Sequence, residues 1–252
     1  MRPSRPLILV GALLVALLAV ALPGPRPAGG IGASSRVSLA HLALQGDGAS
    51  PRGGWRAVEE TLRRRTNINM ATDPKPIGPT DPAIFARPLL WTPALGALPA
   101  LAPAAVTQLQ RHLARGGTWI LDGPLERSAQ GPFLRSAQAI AKQLFPRAEL
   151  GPLPQDHSLW KSFYLLSPGL MSQSGGPVLG LIRDRRASLI VVHGVLSSAG
   201  GARDGQEAEL QRRLSVNLVL YALCVDYKSD QVHAPAILER RKWRVAPPGG
   251  NP

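Results

Sequence analysis

Short apolar runs of strand length alternate along this chain with segments whose apolar residues recur at helical spacing. The run Val37–Leu44 is apolar on both faces, as a central strand of a parallel sheet is. Further strand-like runs lie at 89–91, 118–121, 178–182 and 189–192. The alternation predicts an α/β fold, a three-layer sandwich with a mostly parallel central sheet.

Proline, glycine and charged residues mark where several elements begin and end. A helix is predicted over 54–65, another opens at Pro103 and is closed by Gly116-Gly117, and a third starts at Gly131-Pro132. The charged segment 183–186 is predicted to be the turn that joins two neighbouring strands.

The N-terminal segment has the features of a secretory signal. Arg2 and Arg5 precede an apolar run, Leu7–Leu22, that contains a small-x-small cleavage pattern at 19–21. Residues 1–21 are therefore predicted to be a signal peptide and 22–35 a flexible linker. The protein is expected to be periplasmic or secreted, or anchored in the membrane if the segment is not cleaved.

Composition limits the classes of partner. The formal net charge is +13, but the arginines are spread over the whole chain, and no basic stripe with interleaved aromatic residues indicates a nucleic-acid surface. Nucleic acid is thus an unlikely partner, and electrostatic binding of anionic polymers is the weakest hypothesis. Cys224 is the only cysteine, so no disulfide can form within one chain. Residues 234–252 are predicted to be a basic, Pro/Gly-rich tail.

Three residues are candidates for catalysis. Asp122 and His193 stand at strand ends, beyond which ligands of α/β sheets sit, and the loop of His157 precedes an aromatic segment and could bring the imidazole toward that cleft. Asp122 opens an Asp-Gly turn, where it could act as a general base or cap the turn. His157 stands in a loop, and His193 ends a buried strand before Gly194. Each histidine could supply an acid or base, or could serve only the loop or the core.

Ligand contacts are expected from residues after the first two strands and from the His157 loop. The predicted ligand-binding residues are Gly53, Gly54, Trp55, Thr92 and Asp156. The loop 45–54 lacks a G-x-G-x-x-G or Gly-Lys-Ser/Thr pattern, so no nucleotide cofactor is predicted. No metal site is predicted either, because Asp226, Asp230 and His233 are better explained as a solvated helix end.

A series of short motifs, taken in order, resembles one bacterial family. They are Gly53-Gly54-Trp55, the strand before Thr92, Gly116-Gly117 with Leu121-Asp122-Gly123, Leu144-Phe145-Pro146, Asp156-His157 before Phe163-Tyr164, and 217–223. The family is domain-of-unknown-function family 4159, and the resemblance covers most of 36–233. It implies a flavodoxin-like sandwich similar to class I glutamine amidotransferases, often found in envelope proteins.

The resemblance also bears on chemistry. In catalytic amidotransferases the turn that matches Leu121-Asp122-Gly123 bears a cysteine, whereas here it holds Asp122, so glutaminase activity is not expected. The leading hypothesis is an exported, non-catalytic domain, 36–233, that binds an envelope protein or a small ligand. The alternative is a hydrolase or isomerase with an Asp122/His157 or Asp122/His193 acid-base pair. No cofactor is predicted, and whether the protein is an enzyme stays open.

Overall fold

The computed structural model describes residues 36–37, 39–44, 52–66, 68–70, 76–197 and 205–230. The predicted signal peptide, linker and C-terminal tail lie outside the described residues, as does most of the loop 45–54. The side chains of 52–55 and 224–230 lie outside them as well. Within the described part of the chain, no helix combines the length and the apolar character that crossing a membrane requires.

A six-stranded sheet forms the centre of the molecule. Its strands are β2 Leu39–His41, β4 Leu89–Pro93, β5 Thr118–Gly123, β6 Leu150–Pro152, β7 Leu179–Arg183 and β8 Arg186–His193. They lie in the order β2-β4-β5-β8-β7-β6. The first four strands in that order are parallel neighbours, while β7 and β6 each run antiparallel to the strand before them.

Two short strands extend the parallel pattern at the start of the domain. β1 (Arg36–Val37) directly precedes β2 in the chain and pairs in parallel with β3 (Asn69–Met70). Counting β1 with β2 as one strand, the parallel strands follow the order 2-1-3-4-5 that flavodoxin-like sheets have. The predicted α/β architecture with a mostly parallel sheet is confirmed, and it is consistent with a flavodoxin-like fold.

Helices cover both faces of the sheet. α1 (Arg52–Arg65) and α5 (Gln206–Asp230) pack on one face, and α2 (Pro103–Ala114) and α3 (Arg127–Leu144) on the other; the short α4 (Pro168–Ser174) and the 3-10 helices Pro82–Ala86 and Ser158–Lys161 complete the set. Side chains alternate along each strand, so Ile120 belongs to the α1/α5 core while Trp119 and Leu121 belong to the α2/α3 core.

The structure confirms most of the predicted helix and turn boundaries and corrects one of them. The charged turn joins β7 to β8, with Asp184 at φ 49° and Arg185 at φ 64°, as a two-residue hairpin turn requires. The third helix begins at Arg127 rather than at Gly131-Pro132. Pro132 lies close enough to the helix start that its missing N–H removes only one bond of the first turns.

Candidate functional site at the carboxyl edge of the sheet

The Asp122 carboxylate lies at the end of β5 and is wholly buried, with an exposed fraction of 0%. Its Oδ1 accepts the backbone N–H of Val195 at 2.9 Å, and its Oδ2 accepts those of Leu196 at 3.0 Å and Ser197 at 2.6 Å. The indole Nε1 of Trp91 donates to Oδ2 at 3.4 Å. The carboxylate is therefore the acceptor for four N–H groups, three of them from consecutive residues.

The segment after β8 folds back over the end of β5 and forms this cluster of N–H groups. Gly194 makes the bend possible, because its φ is 63° and a Cβ at that position would lie 2.2 Å from Cγ of Leu125. Consecutive backbone N–H groups in such a bend form a concave anion site, and Asp122 fills it. Burial raises the pKa of the Asp122 carboxyl, and the N–H donors oppose that rise.

The structure does not bring Asp122 and His193 together. Asp122 pairs with Val192 in the sheet register, and Gly123 pairs with His193, so strand alternation directs the two side chains to opposite faces. Trp91 and Val192 surround Asp122 on the α1/α5 face, whereas the His193 ring meets Phe133 of α3 edge-on, with ring centroids 5.5 Å apart. The β5–β8 register therefore places Asp122 and His193, which were predicted to act as a pair, on opposite faces of the sheet.

His157 is also separate from Asp122. Its Nδ1 accepts the N–H of Leu159 at 3.3 Å, and its ring lies 5.3 Å from that of Tyr221. The Tyr221 hydroxyl accepts the N–H of Ala187, near the beginning of β8, whereas Asp122 is level with Val192 near its end. Five residues of strand span roughly 16 Å, and no hydrogen bond between described residues joins His157 to Asp122. His157 therefore forms a hydrogen bond within its own loop and packs against Tyr221 of α5.

The predicted ligand-binding residues differ in where the structure places them. The Thr92 hydroxyl donates to the carbonyl of Leu42 at 2.9 Å and accepts the indole N–H of Trp119 at 2.9 Å. Asp156 is exposed and stands beside His157, outside the Asp122 site. The segment 53–55 belongs to α1, so it continues a helix rather than a loop. The Thr92 hydroxyl thus donates one hydrogen bond and accepts another within the protein, and its predicted ligand contact stays a prediction.

A second polar group lies at the same edge of the sheet, where β5 and β8 end. His193 Nδ1 is 3.3 Å from the carbonyl of Pro124, the bond that a protonated Nδ1 makes. Its Nε2 is buried and, within the described part of the chain, has no hydrogen-bond partner. Burial lowers the pKa of His193 and so favours the neutral ring, in which a proton on Nδ1 leaves Nε2 as an acceptor without a partner among the described residues.

Two glutamines from helix starts complete this group, which we call the carboxyl-edge cluster: His193, Gln130, Gln211, Gly175 and Gly176. The Gln130 amide donates to the carbonyls of Leu125 and Gly175, each at 3.2 Å. The Oε1 atom of Gln211 is buried with no partner among the described residues, and a Cβ on Gly175 would lie 2.5 Å from Gln211 Nε2. Both glycines therefore admit the polar side chains that surround them.

Sequence reasoning missed the two glutamines. They stand in the first turns of helices that follow strands, at the edge where ligands of α/β sheets bind, and the Gly175-Gly176 pair marks the close approach between them. These three features together are the signal that could have found them. Within the described residues the cluster contains two acceptors without partners, His193 Nε2 and Gln211 Oε1. It therefore suits a ligand group that donates hydrogen bonds.

Metal ligands do not assemble in the described residues: they contain no group of three His, Cys, Asp or Glu side chains that could hold an ion. The side chains of Asp226, Asp230 and His233, which were considered above as metal ligands, lie outside the described residues.

Comparison with known proteins identifies the family. A search of curated proteins finds no match. A scan against protein families matches residues 38–223 to the domain of unknown function DUF4159, which spans the sheet from β2 to β8 and most of α5. The chain therefore belongs to the DUF4159 family.

Proposed function

We propose that this chain is an exported, non-catalytic α/β domain that binds a protein partner or a small ligand in the cell envelope. The observation that carries the proposal is the occupied carboxylate of Asp122, which accepts three backbone N–H groups and an indole N–H in a buried position. A general base needs a free lone pair within reach of the substrate proton. Asp122 uses its lone pairs to hold the chain.

We also propose an evolutionary origin for the domain. The sandwich is that of a class I glutamine amidotransferase-like domain in which the turn at Asp122-Gly123 carries a structural carboxylate instead of a thiol. Cys224 is the only cysteine of the chain, and it lies in α5, far along the chain from that turn. Export is supported by the charged and apolar pattern of residues 1–21.

The carboxyl-edge cluster is the position where this domain would bind a small ligand. Among the residues that the structure describes, Nε2 of His193 and Oε1 of Gln211 are buried acceptors without a hydrogen-bond partner, and such an acceptor costs free energy until a donor reaches it. A ligand with hydroxyl, amide or amine groups satisfies that requirement. The alternative, acid-base chemistry by Asp122 with either histidine, would first have to break the contacts that hold all three side chains.

The test is an activity panel. Purified protein is assayed on amides, esters and glycosides next to Asp122→Asn, His157→Gln and His193→Gln variants whose folding is checked by circular dichroism. We expect no turnover by any form. Turnover that is lost in a folded Asp122→Asn or histidine variant would overturn the proposal.

A further inference from the structure

An exposed apolar segment follows the 3-10 helix Ser158–Lys161. Leu165 has an exposed fraction of 88% and Phe163 of 48%, so hardly any protein atom packs on the Leu165 side chain. The Tyr164 ring between them is half-buried and meets Phe163 edge-on, with centroids 4.9 Å apart. Phe163 and Leu165 therefore present two large apolar side chains to solvent, where an interaction partner can reach them.

Arginines from two helices hold the middle of this segment. The guanidinium of Arg65 lies 5.8 Å from the Tyr164 ring centroid and that of Arg213 lies 5.3 Å from it. Arg65 also forms two hydrogen bonds with Glu209, at 2.7 and 2.8 Å, and both Arg212 and Arg213 bond the same carboxylate. Helices α1 and α5 thus fix the aromatic segment by cation–π contacts.

The charges on this surface do not balance. Three guanidinium groups share the single carboxylate of Glu209, which leaves two positive charges, and the exposed Lys161 stands two residues before Phe163. Hydrogen bonds from Arg65, with the two other arginines, lower the pKa of Glu209 to about 2, so the carboxylate stays ionised and the arginines stay oriented. The surface is therefore basic around an apolar centre.

We infer that this surface, the arginine–tyrosine face (Arg65, Phe163, Tyr164, Leu165, Arg212 and Arg213), docks on an anionic lipid bilayer. The charge complementarity is that of basic residues with anionic headgroups, and Phe163 and Leu165 supply side chains that enter the interfacial region. The exposed Leu165 side chain can enter the lipid interface without breaking a packing contact within the chain.

This inference goes beyond the proposed function, because a lipid bilayer is neither the protein partner nor the small ligand proposed above. The experiment uses the full chain in a Cys224→Ala background, with an environment-sensitive fluorophore on cysteine at Leu165→Cys. The matched control carries the fluorophore at Leu95→Cys, because Leu95 is 78% exposed and lies in the uncharged segment 94–102. The local readout separates docking of this face from insertion of the N-terminal apolar run.

Each protein is titrated with vesicles of phosphatidylcholine alone and with vesicles that contain phosphatidylglycerol. We expect a blue shift at position 165 with the anionic vesicles only, and none at position 95. The pair Arg212→Gln and Arg213→Gln should raise the lipid concentration at half-maximal shift about thirtyfold. The same loss of charge at the exposed Arg111 and Arg115 should leave it unchanged.

Equal responses at positions 165 and 95, or equal responses to both vesicle types, would overturn the inference. So would a shift with soluble polyglutamate and none with vesicles, which would indicate an acidic protein instead. These outcomes leave the non-catalytic role standing, and turnover in the activity panel would leave lipid docking standing, so the two failures are distinguishable.

Discussion

Replacing Asp122 should destabilise the domain strongly, because its carboxylate is the buried acceptor for a loop. In Asp122→Asn the amide oxygen can keep the place of Oδ2, but the amide nitrogen then faces the N–H of Val195, which Oδ1 accepts at 2.9 Å. One buried bond is lost, two donors oppose each other, and the remaining bonds lose their charge. A buried donor without a partner costs about 1–3 kcal/mol, and bonds to charged groups contribute about 1.5–3 kcal/mol. We expect a loss of about 3–5 kcal/mol.

The assay is urea unfolding at pH 7, followed by circular dichroism, with the exposed Asp156→Asn as the matched control. Asp122→Asn should lower the midpoint without changing the slope, and for a domain of this size it should lower the Tm by about 6–20 °C. Asp156→Asn should change the free energy of unfolding by less than about 0.5 kcal/mol. A change below about 1 kcal/mol for Asp122→Asn would refute the reasoning, because it would mean that the loop does not depend on the carboxylate.

Three further predictions concern stability. Burial lowers the pKa of His112, which is 3% exposed, to about 4. Because the unfolded chain takes up the proton at a higher pH than the folded protein, about 3 kcal/mol of the stability present above pH 6.5 should be lost as the pH falls to 4. A His112→Gln variant should show a flatter pH profile in chemical unfolding. Gly194→Ala should lower the Tm more than Gly96→Ala, since only Gly194 has a positive φ and a crowded Cβ position. Asn217→Ala should cost about 2–5 kcal/mol in urea unfolding, because the buried amide bonds the N–H of Tyr164 and two carbonyls; an unchanged midpoint would contradict the last two predictions.

Local sequence patterns were enough to predict the α/β architecture. Within the predicted strands, Leu39–His41 forms β2 and 118–121 lies in β5, because a buried parallel strand needs a short run that is apolar on both faces. The segment 183–186 likewise forms the β7–β8 turn. The start of α3 was missed because Pro132 is a common first residue of a helix and equally tolerable near its beginning.

The site depends on contacts that no local pattern contains. The place of Asp122 at a strand end follows from the sequence, but its partners Val195, Leu196 and Ser197 come more than seventy residues later. Whether His193 shares a face with Asp122 depends on the β5–β8 register, since a shift by one residue would reverse the face. The carboxyl-edge cluster combines two helix starts and a glycine pair, so it becomes visible only when the chain is folded.

Hydrogen exchange at the amides of Leu196 and Ser197 tests the central claim, that the Asp122 carboxylate is used to hold the fold and not to react. In the Asp122→Asn variant the same amides serve as the comparison. We predict that in the native protein both amides exchange only with global unfolding, although they lie in a loop, and that the substitution exposes them. Exchange of both at the rate of an open loop in the native protein would contradict the account, because Asp122 would then be free to meet a ligand.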